Sequence, residues 1–198
     1  HPPLGKWMIA VGEQIFGMTP FGWRFAAAVV GTLSILILAR VARRMTRSTL
    51  LGCLAGLLLA LDGLHFVLSR TALLDIFLMF WVLAGFACLV VDRDRARERL
   101  ADWYESSPPS DRGPWLGPRP WRIAAGLCLG AACAVKWSGG FFLIAFFVMS
   151  LLWDAGARRA VGLNAPYRGV LDKDLTGALF SMVLLPAVTY VVSWSGWF

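Results

Sequence analysis

Long runs of apolar residues dominate this chain, and segments rich in arginine, aspartate and proline separate them. Hydrophobic residues make up 58% of the 198 residues, whereas a soluble domain has roughly 45 to 50% apolar residues. The mean hydropathy of +0.65 points the same way. A helix that crosses a membrane needs about 20 apolar residues. We therefore predict an all-α, polytopic membrane protein in which residues 1–198 form a single membrane domain.

Six apolar runs are predicted to enter the membrane within residues 25–198. They are residues 25–42, 49–68, 72–91, 123–135, 141–153 and 176–193. At about 1.5 Å per residue the fourth and fifth runs are short for a full crossing. Two short spans and a re-entrant hairpin both remain open for 123–153. Pro186 is expected to kink the last span.

The first residues predict a different kind of helix. Over residues 3–16 the apolar side chains recur at helical spacing, while Lys6 and Glu13 lie on the opposite side. This pattern favours an amphipathic helix that lies in the membrane interface. The alternative is an ordinary amphipathic helix whose charges merely face water.

Basic residues are distributed unevenly and predict the orientation. Segments 40–47, 92–122 and 154–174 hold all but four of the 19 lysines and arginines. Alternating spans place these segments on one side, which the positive-inside rule assigns to the cytoplasm. Residues 1–24 are then extracytoplasmic, and 92–121 form a cytoplasmic loop. With no soluble domain to present the net charge of +7, nucleic-acid binding is not expected.

The two longer charged segments are expected to be solvated. Segment 92–121 predicts a helical extension followed by a flexible Pro-rich part, and 154–174 predicts a second loop. The mixed charge of the first loop indicates solubility rather than a binding site. The four cysteines lie inside apolar runs without metal-type spacing, so we predict small-residue packing and no metal site.

The remaining cations gather on the opposite side of the membrane. They are Lys6, Arg24, Arg70 and Lys136, and the acids Glu13, Asp62 and Asp75 accompany them. A charge at the centre of a membrane helix costs roughly 2.5 to 3.5 kcal/mol, so such residues usually face a bundle interior or a wet cavity. Asp62 is expected to be buried, on the same helix face as His65 and Ser69.

Each of these residues also has a structural interpretation. Arg24 and Lys136 adjoin tryptophans and could anchor helix ends at the interface. Arg70 and Asp75 flank a tight turn and could form a structural ion pair or a helix cap. His65 could be a polar residue satisfied inside the bundle.

Five short motifs, in this order, resemble those of the protein O-mannosyltransferases. They are His1-Pro2-Pro3-Leu4-Gly5-Lys6, Pro20-Phe21-Gly22-Trp23-Arg24-Phe25, Ser69-Arg70-Thr71-Ala72-Leu73-Leu74-Asp75, Val135-Lys136-Trp137-Ser138-Gly139 and Ser193-Trp194-Ser195-Gly196-Trp197-Phe198. The resemblance implies a bacterial-type, multi-pass plasma-membrane enzyme of the GT-C fold. Such enzymes pass mannose from polyprenyl-phosphate-mannose to Ser or Thr hydroxyls of exported proteins, with inversion, on the extracytoplasmic face. No cofactor is implied beyond this lipid-linked donor.

The resemblance also implies roles for individual residues. Arg24 and Lys136 match donor-phosphate ligands, and the active-site loop comprises His1, Pro2, Pro3 and Lys6, with Glu13 nearby. Asp62, His65, Arg70 and Asp75 form a supporting polar cluster. The catalytic base of the family is an Asp upstream of the His-Pro-Pro motif. The chain begins at His1, so we expect a fragment that holds the phosphate ligands but is inactive alone.

Two alternatives remain open from the sequence. One is a GT-C glycosyltransferase that uses another lipid-linked sugar or acceptor. The other is a membrane transporter, because intramembrane Asp, His and Arg residues can also form an ion pathway.

Overall fold

The computed structural model describes residues 1–106 and 110–197, and all regular secondary structure in these ranges is helical. Residues 107–109 of the predicted Pro-rich loop and Phe198 of the last motif lie outside the described residues. The helices are α1 (Leu4–Phe16), α2 (Pro20–Thr46), α3 (Thr49–Leu61), α4 (Gly63–Leu68), α5 (Leu74–Ser106), α6 (Pro120–Val135), α7 (Gly139–Ala160) and α8 (Pro166–Val192). A short 3₁₀ turn, Ser195–Trp197, follows α8.

Four of the helices are long and apolar enough to cross a membrane, namely α2, α5, α7 and α8. This confirms the prediction of an all-helical membrane protein. The other two predicted spans correspond to shorter elements, because α3 has 13 residues and α6 has 16. Six crossings therefore stay a prediction. The expected helical extension beyond residue 92 is confirmed, since α5 continues to Ser106.

Asp62 interrupts the predicted span at 49–68. It ends α3 and begins α4, and its carboxylate accepts a hydrogen bond of 2.7 Å from the backbone N–H of His65. The expectation of a buried carboxylate is wrong, because Asp62 is exposed at this break. His65 is the buried residue, and its Nε2 lies 3.1 Å from the carbonyl oxygen of Gly31 on α2. This contact holds the short α4 against α2.

A buried network of charged side chains joins α5, α6 and α7. Arg119, just before α6, donates to both carboxylate oxygens of Asp92 on α5 and, over 2.6 Å, to Asp154 on α7. Arg122 donates to the same oxygen of Asp154 over 3.2 Å. All four residues are buried. The expectation that 92–121 is entirely solvated is therefore wrong.

A second buried pair fixes the start of α8. Arg158 on α7 is fully buried and donates two hydrogen bonds, of 2.7 and 3.1 Å, to Asp174. The same guanidinium donates to the carbonyl oxygens of Arg112 and Pro114. The predicted loop at 154–174 is consequently mostly helical: α7 runs to Ala160 and α8 begins at Pro166. The helices can continue through this segment because Asp154, Arg158 and Asp174 form ion pairs inside the protein and do not need to be solvated by water.

The pKa of Arg119 reflects this environment. Burial alone lowers the pKa of a guanidinium, but the carboxylates of Asp154 and Asp92 together raise the pKa of Arg119 above its ordinary value. Arg119 therefore stays protonated at every pH at which the protein is folded.

Close backbone contact joins α6 to α8. A β-carbon at Gly126 would collide with the carbonyl oxygen of Ser181, and one at Gly130 would lie 2.7 Å from the Cα of Pro186. Only glycine fits at these positions. Helix α8 contains two π-helical turns, Val170–Asp174 and Phe180–Leu184. Pro186 is buried shortly after the second one.

Replacing Asp154 by Asn should destabilise the protein strongly, because two buried guanidinium groups lose their shared carboxylate. Removing one partner from a buried ion pair costs about 3 to 5 kcal/mol. Asp172 pairs with Arg112 on the surface, where such a pair contributes about 0 to 1 kcal/mol. The unfolding midpoint of detergent-solubilised Asp154→Asn should therefore fall well below that of Asp172→Asn. Equal midpoints would contradict a structural role for the network.

Candidate functional site

The sequence motifs lie together at one end of the bundle, opposite the buried network of Arg119 and Asp154. Here α1 packs on the first turns of α2 and α5 and on the last turn of α6. The shared core contains Ala27, Val30, Ile76, Phe77 and Val135. Because these side chains are all apolar, the polar groups of the motifs are left around the rim of this core.

Helix α1 is docked by a contact between glycines. A β-carbon at Gly12 would collide with the carbonyl oxygen of Gly22, so the backbones of α1 and α2 approach closely. Gly5 faces Leu74 and Val135, which places the start of α1 against α5 and α6. The outer side of α1 exposes Val11 and other apolar side chains. That exposure favours the interfacial position over a helix whose outer side faces water.

The residues of the opening motif differ in accessibility. Pro2 and Pro3 are buried, whereas His1 and Lys6 are exposed and Glu13 is half-buried. The prolines therefore fix the position of the loop, and the exposed side chains remain available at the rim. The last motif reaches the same region, because Gly196 lies against the Trp7 ring.

Lys136 and Asp75 form an ion pair at this end. Lys136 follows α6 directly, and its Nζ lies 2.7 Å from Oδ1 of Asp75 in the first turn of α5. The partial positive charge of a helix N-terminus also favours a carboxylate there. Both side chains remain partly accessible, at 34% and 47%. The suggested pairing of Asp75 with Arg70 is wrong, since Arg70 stacks 3.9 Å from the ring centre of Phe66 instead.

Arg24 and Arg70 line one cavity of about 380 Å³. The other lining residues are Phe21, Phe25, Ala28, Thr32 and Ser69. The two guanidinium groups are the donors that this cavity offers to a ligand, because the hydroxyl groups of Thr32 and Ser69 already donate to the backbone carbonyl oxygens of Ala28 and Phe66. None of the described residues that line the cavity is a carboxylate. Such a set of donors suits an anion with several oxygen atoms, of which phosphate is an example.

An apolar groove of about 450 Å³ runs between α5 and α7. Its lining comprises Asp75, Leu78, Met79, Val82, Leu83, Phe86, Phe142 and Phe146. Asp75 is the only charged residue among them and lies at one end. At 1.5 Å per residue, the stretch from Asp75 to Phe86 is about 16 Å long. The groove therefore leads along the bundle to the pair that Asp75 forms with Lys136.

The structure therefore divides the predicted site residues into groups. It brings Arg24 together with Arg70, and Lys136 together with Asp75 near the start of α1. Asp62 and His65 instead stabilise α4. The sequence did not indicate the α5–α7 groove, because a groove between two apolar helices leaves no distinct pattern in either. The sequence predicts Arg24 and Arg70 on the same side of the membrane, but it does not predict that they line one cavity.

The chain is similar to one protein family over nearly its whole length and to several bacterial members of it. The family described as dolichyl-phosphate-mannose-protein mannosyltransferase matches residues 1–193. The polyprenol-phosphate-mannose–protein mannosyltransferase of Mycolicibacterium smegmatis is 48% identical over 200 aligned positions, covering 100% of this chain and 39% of the relative. The protein of the same name from Corynebacterium glutamicum is 40% identical, covering 100% of this chain and 38% of the relative.

A more distant relative is an arabinosyl transferase. The undecaprenyl phosphate-α-4-amino-4-deoxy-L-arabinose arabinosyl transferase of Pseudomonas aeruginosa is 38% identical over 104 residues, covering 52% of this chain and 19% of the relative. No solved structure matches this chain significantly. The chain spans about two fifths of the length of the curated mannosyltransferases it matches. Since the family match extends over residues 1–193, this chain belongs to the dolichyl-phosphate-mannose-protein mannosyltransferase family.

Proposed function

We propose that this chain forms the donor-binding part of an enzyme that transfers mannose from polyprenyl-phosphate-mannose to Ser or Thr hydroxyls of exported proteins. The observation that carries the proposal is the proximity of one cation to an apolar groove: Lys136 pairs with Asp75, which lines the end of that groove. A polyprenyl phosphate has the matching chemistry, with an anionic head on a long hydrocarbon chain. Family membership and the names of the relatives support the same donor and a protein acceptor.

The polyprenyl chain is assigned to the groove between α5 and α7. Its walls are aliphatic and aromatic, so isoprene units could replace membrane lipid there without exposing polar backbone. The groove ends at Asp75, so a chain lying in it would bring its phosphate to Lys136. This arrangement would leave the sugar outside the hydrocarbon, beside the opening motif.

The cations would bind the phosphate and stabilise it as it leaves. In the transfer, the acceptor oxygen attacks C1 of mannose from the face opposite the phosphate, and the bond between C1 and the phosphate oxygen breaks with inversion. Negative charge then grows on the departing phosphate. Positive charge at this end of the bundle comes from Arg24, Arg70 and Lys136. Donors that are held in place before the reaction stabilise such developing charge strongly. Lys136 would exchange part of its contact with Asp75 for the phosphate.

The acceptor hydroxyl also needs a base, because an alcohol is a weak nucleophile until a carboxylate takes its proton. Asp62 caps α4 and Asp75 is paired with Lys136, so we assign the base to neither. We assign it to the acidic residue that precedes the His-Pro-Pro motif in the family. His1, Pro2, Pro3 and Lys6, with Glu13, would then shape the loop that separates this base from the donor cations.

The wider architecture belongs to the same proposal. The helices would form part of a GT-C fold in the bacterial plasma membrane, with the network of Arg119 and Asp154 on the cytoplasmic side and Lys136 on the opposite side. The unequal distribution of basic residues supports this orientation. The proposal requires no cofactor or metal, because arginine and lysine supply the electrostatic stabilisation.

A comparison of donors tests the function. The full-length protein should transfer mannose from a polyprenyl-phosphate donor to an acceptor peptide that contains Ser and Thr, and a peptide with Ala at those positions should remain unmodified. The partial match to the arabinosyl transferase makes a lipid-linked amino-arabinose the second candidate donor. Transfer from that donor at an equal or higher rate would contradict the mannose assignment. No described feature favours a transporter.

Removing the cations should slow the transfer. We expect Arg24→Gln, Arg70→Gln and Lys136→Ala each to lower kcat by about 100-fold, because loss of one preorganised charge donor typically costs this much. The matched control is Arg168→Gln, an exposed cation at the charged end of the bundle, which should keep the normal rate. Normal rates in all three test variants would contradict the phosphate assignment.

Asp75 should act through Lys136 rather than directly. Asp75→Asn removes the carboxylate that holds the ammonium group, so kcat should fall by about tenfold. Combined with Lys136→Ala, it should cause little further loss, because the two residues would act as one unit. Additive losses in the double variant, measured from initial rates at saturating donor, would show that Asp75 works independently of Lys136.

A further inference from the structure

A second basic cavity lies at the charged end of the bundle, away from the proposed donor site. It has a volume of about 810 Å³ and lies between the α2–α3 turn and α5. The lining comprises the apolar residues Ile37, Val41, Ala87 and Val91, the hydroxyl residue Thr49, and the arginines Arg40, Arg43, Arg44 and Arg47. Its size lies within the range of roughly 300 to 1,000 Å³ that small-molecule sites occupy.

The charges around this cavity are not balanced within the described chain. Arg44 donates over 2.7 Å to Asp94 on α5 and is neutralised. In residues 1–106 and 110–197, the side chains of the other three arginines make no hydrogen bond or ion pair. None of the described residues that line the cavity is a carboxylate. Three exposed arginine side chains without an acidic partner therefore line one cavity together with four apolar residues. By contrast, Arg119, Arg122 and Arg158 are buried and pair with aspartates.

The backbone supports a role for at least one of these side chains. Arg47 ends α2 in the left-handed conformation, with φ of 54°, and it is the only described residue other than glycine with positive φ. Glycine is strongly preferred at this position because it has no β-carbon to clash. Attraction to the C-terminal end of the helix accounts for Arg43 and Arg44 in its last turn. Arg47 lies at the same helix end, but its left-handed backbone is a conformation that an arginine rarely adopts.

We propose that this cavity binds the anionic headgroup of a membrane phospholipid, with highest affinity for a lipid that carries two phosphate charges. Basic pockets between membrane helices suit such headgroups. The arginines would contact the phosphates, while Ile37, Val41, Ala87 and Val91 would contact the first carbons of the acyl chains. This site is independent of the proposed transfer reaction, because it shares no residue with the donor site.

The test measures lipid retention by the full-length protein. The protein is purified with cardiolipin, phosphatidylglycerol or phosphatidylcholine, and the bound lipid is quantified by native mass spectrometry. Wild type should retain cardiolipin in clear preference to phosphatidylcholine, with phosphatidylglycerol between them. Arg40→Gln combined with Arg47→Gln should weaken cardiolipin binding by about 30-fold, because each interfacial arginine contributes about fivefold.

The control variant separates a site from general charge attraction. Arg97→Gln combined with Arg168→Gln removes the same charge from exposed positions at the same end, and it should retain cardiolipin like wild type. Equal losses in both variants, or no loss in the first, would overturn the proposal. Displacement of the lipid by millimolar inorganic phosphate, or preferential retention of a polyprenyl phosphate over cardiolipin, would also overturn it. Unfolding midpoints close to wild type show that both variants are folded.

Discussion

The position of the membrane helices depends on the buried ionic network around Arg119 and Asp154. In a bilayer, apolar helix surfaces gain little by leaving the lipid, so hydrophobic burial does not select which helices become neighbours. A charge without a partner in a low-dielectric interior is strongly unfavourable, and this makes pairing selective. Because Arg119 bridges Asp92 on α5 and Asp154 on α7, the helices that carry the candidate donor site are aligned from their opposite ends.

The arginines and lysines of this chain have three different electrostatic situations. Arg119 and Arg158 are buried and compensated by aspartates, so they stabilise the fold. Lys136 is compensated by Asp75 but remains accessible, which lets another anion share its charge. Arg24 and Arg70 line a cavity that has no carboxylate among its described lining residues. The difference between structural and binding cations is therefore set by the acids around them, since the side chains themselves are chemically alike.

Much of the fold was predictable because hydrophobic length is a local property of the sequence. The apolar runs predicted all four long helices. The distribution of basic residues predicted which charged residues lie at the same end of the bundle. The burial of Asp92 and Arg119 was not predictable from the sequence. They lie in a mixed-charge segment, and such a segment has the same sequence pattern whether its charges face water or pair inside the protein. The two partners of Asp154, Arg119 and Arg122, lie 35 and 32 residues before it in the sequence. Only the tertiary structure brings them together.

The candidate site was predictable to a different extent. The motifs singled out Arg24, Arg70, Asp75 and Lys136, because polar residues beside apolar runs are rare. Their pairing was not predictable: Asp75 is close in sequence to Arg70 yet pairs with Lys136, since the turn before α5 directs Arg70 onto Phe66. The prediction that Asp62 is buried is wrong for a related reason. Its position inside an apolar run suggested burial, whereas the helix breaks there and the carboxylate caps the next segment.

Because α8 contains a π-helical turn at Phe180–Leu184, its contacts with α6 and α7 depend on the number of its residues as well as on their identity. A π turn takes one more residue than an α turn, and each added residue rotates the following side chains by about 100°. This rotation brings Pro186 onto Gly130 while Asp174 still faces Arg158 on α7. Deleting one residue from the turn would restore regular α geometry and direct Pro186 away from α6. Relatives should therefore tolerate substitutions between Asp174 and Pro186 far better than insertions or deletions.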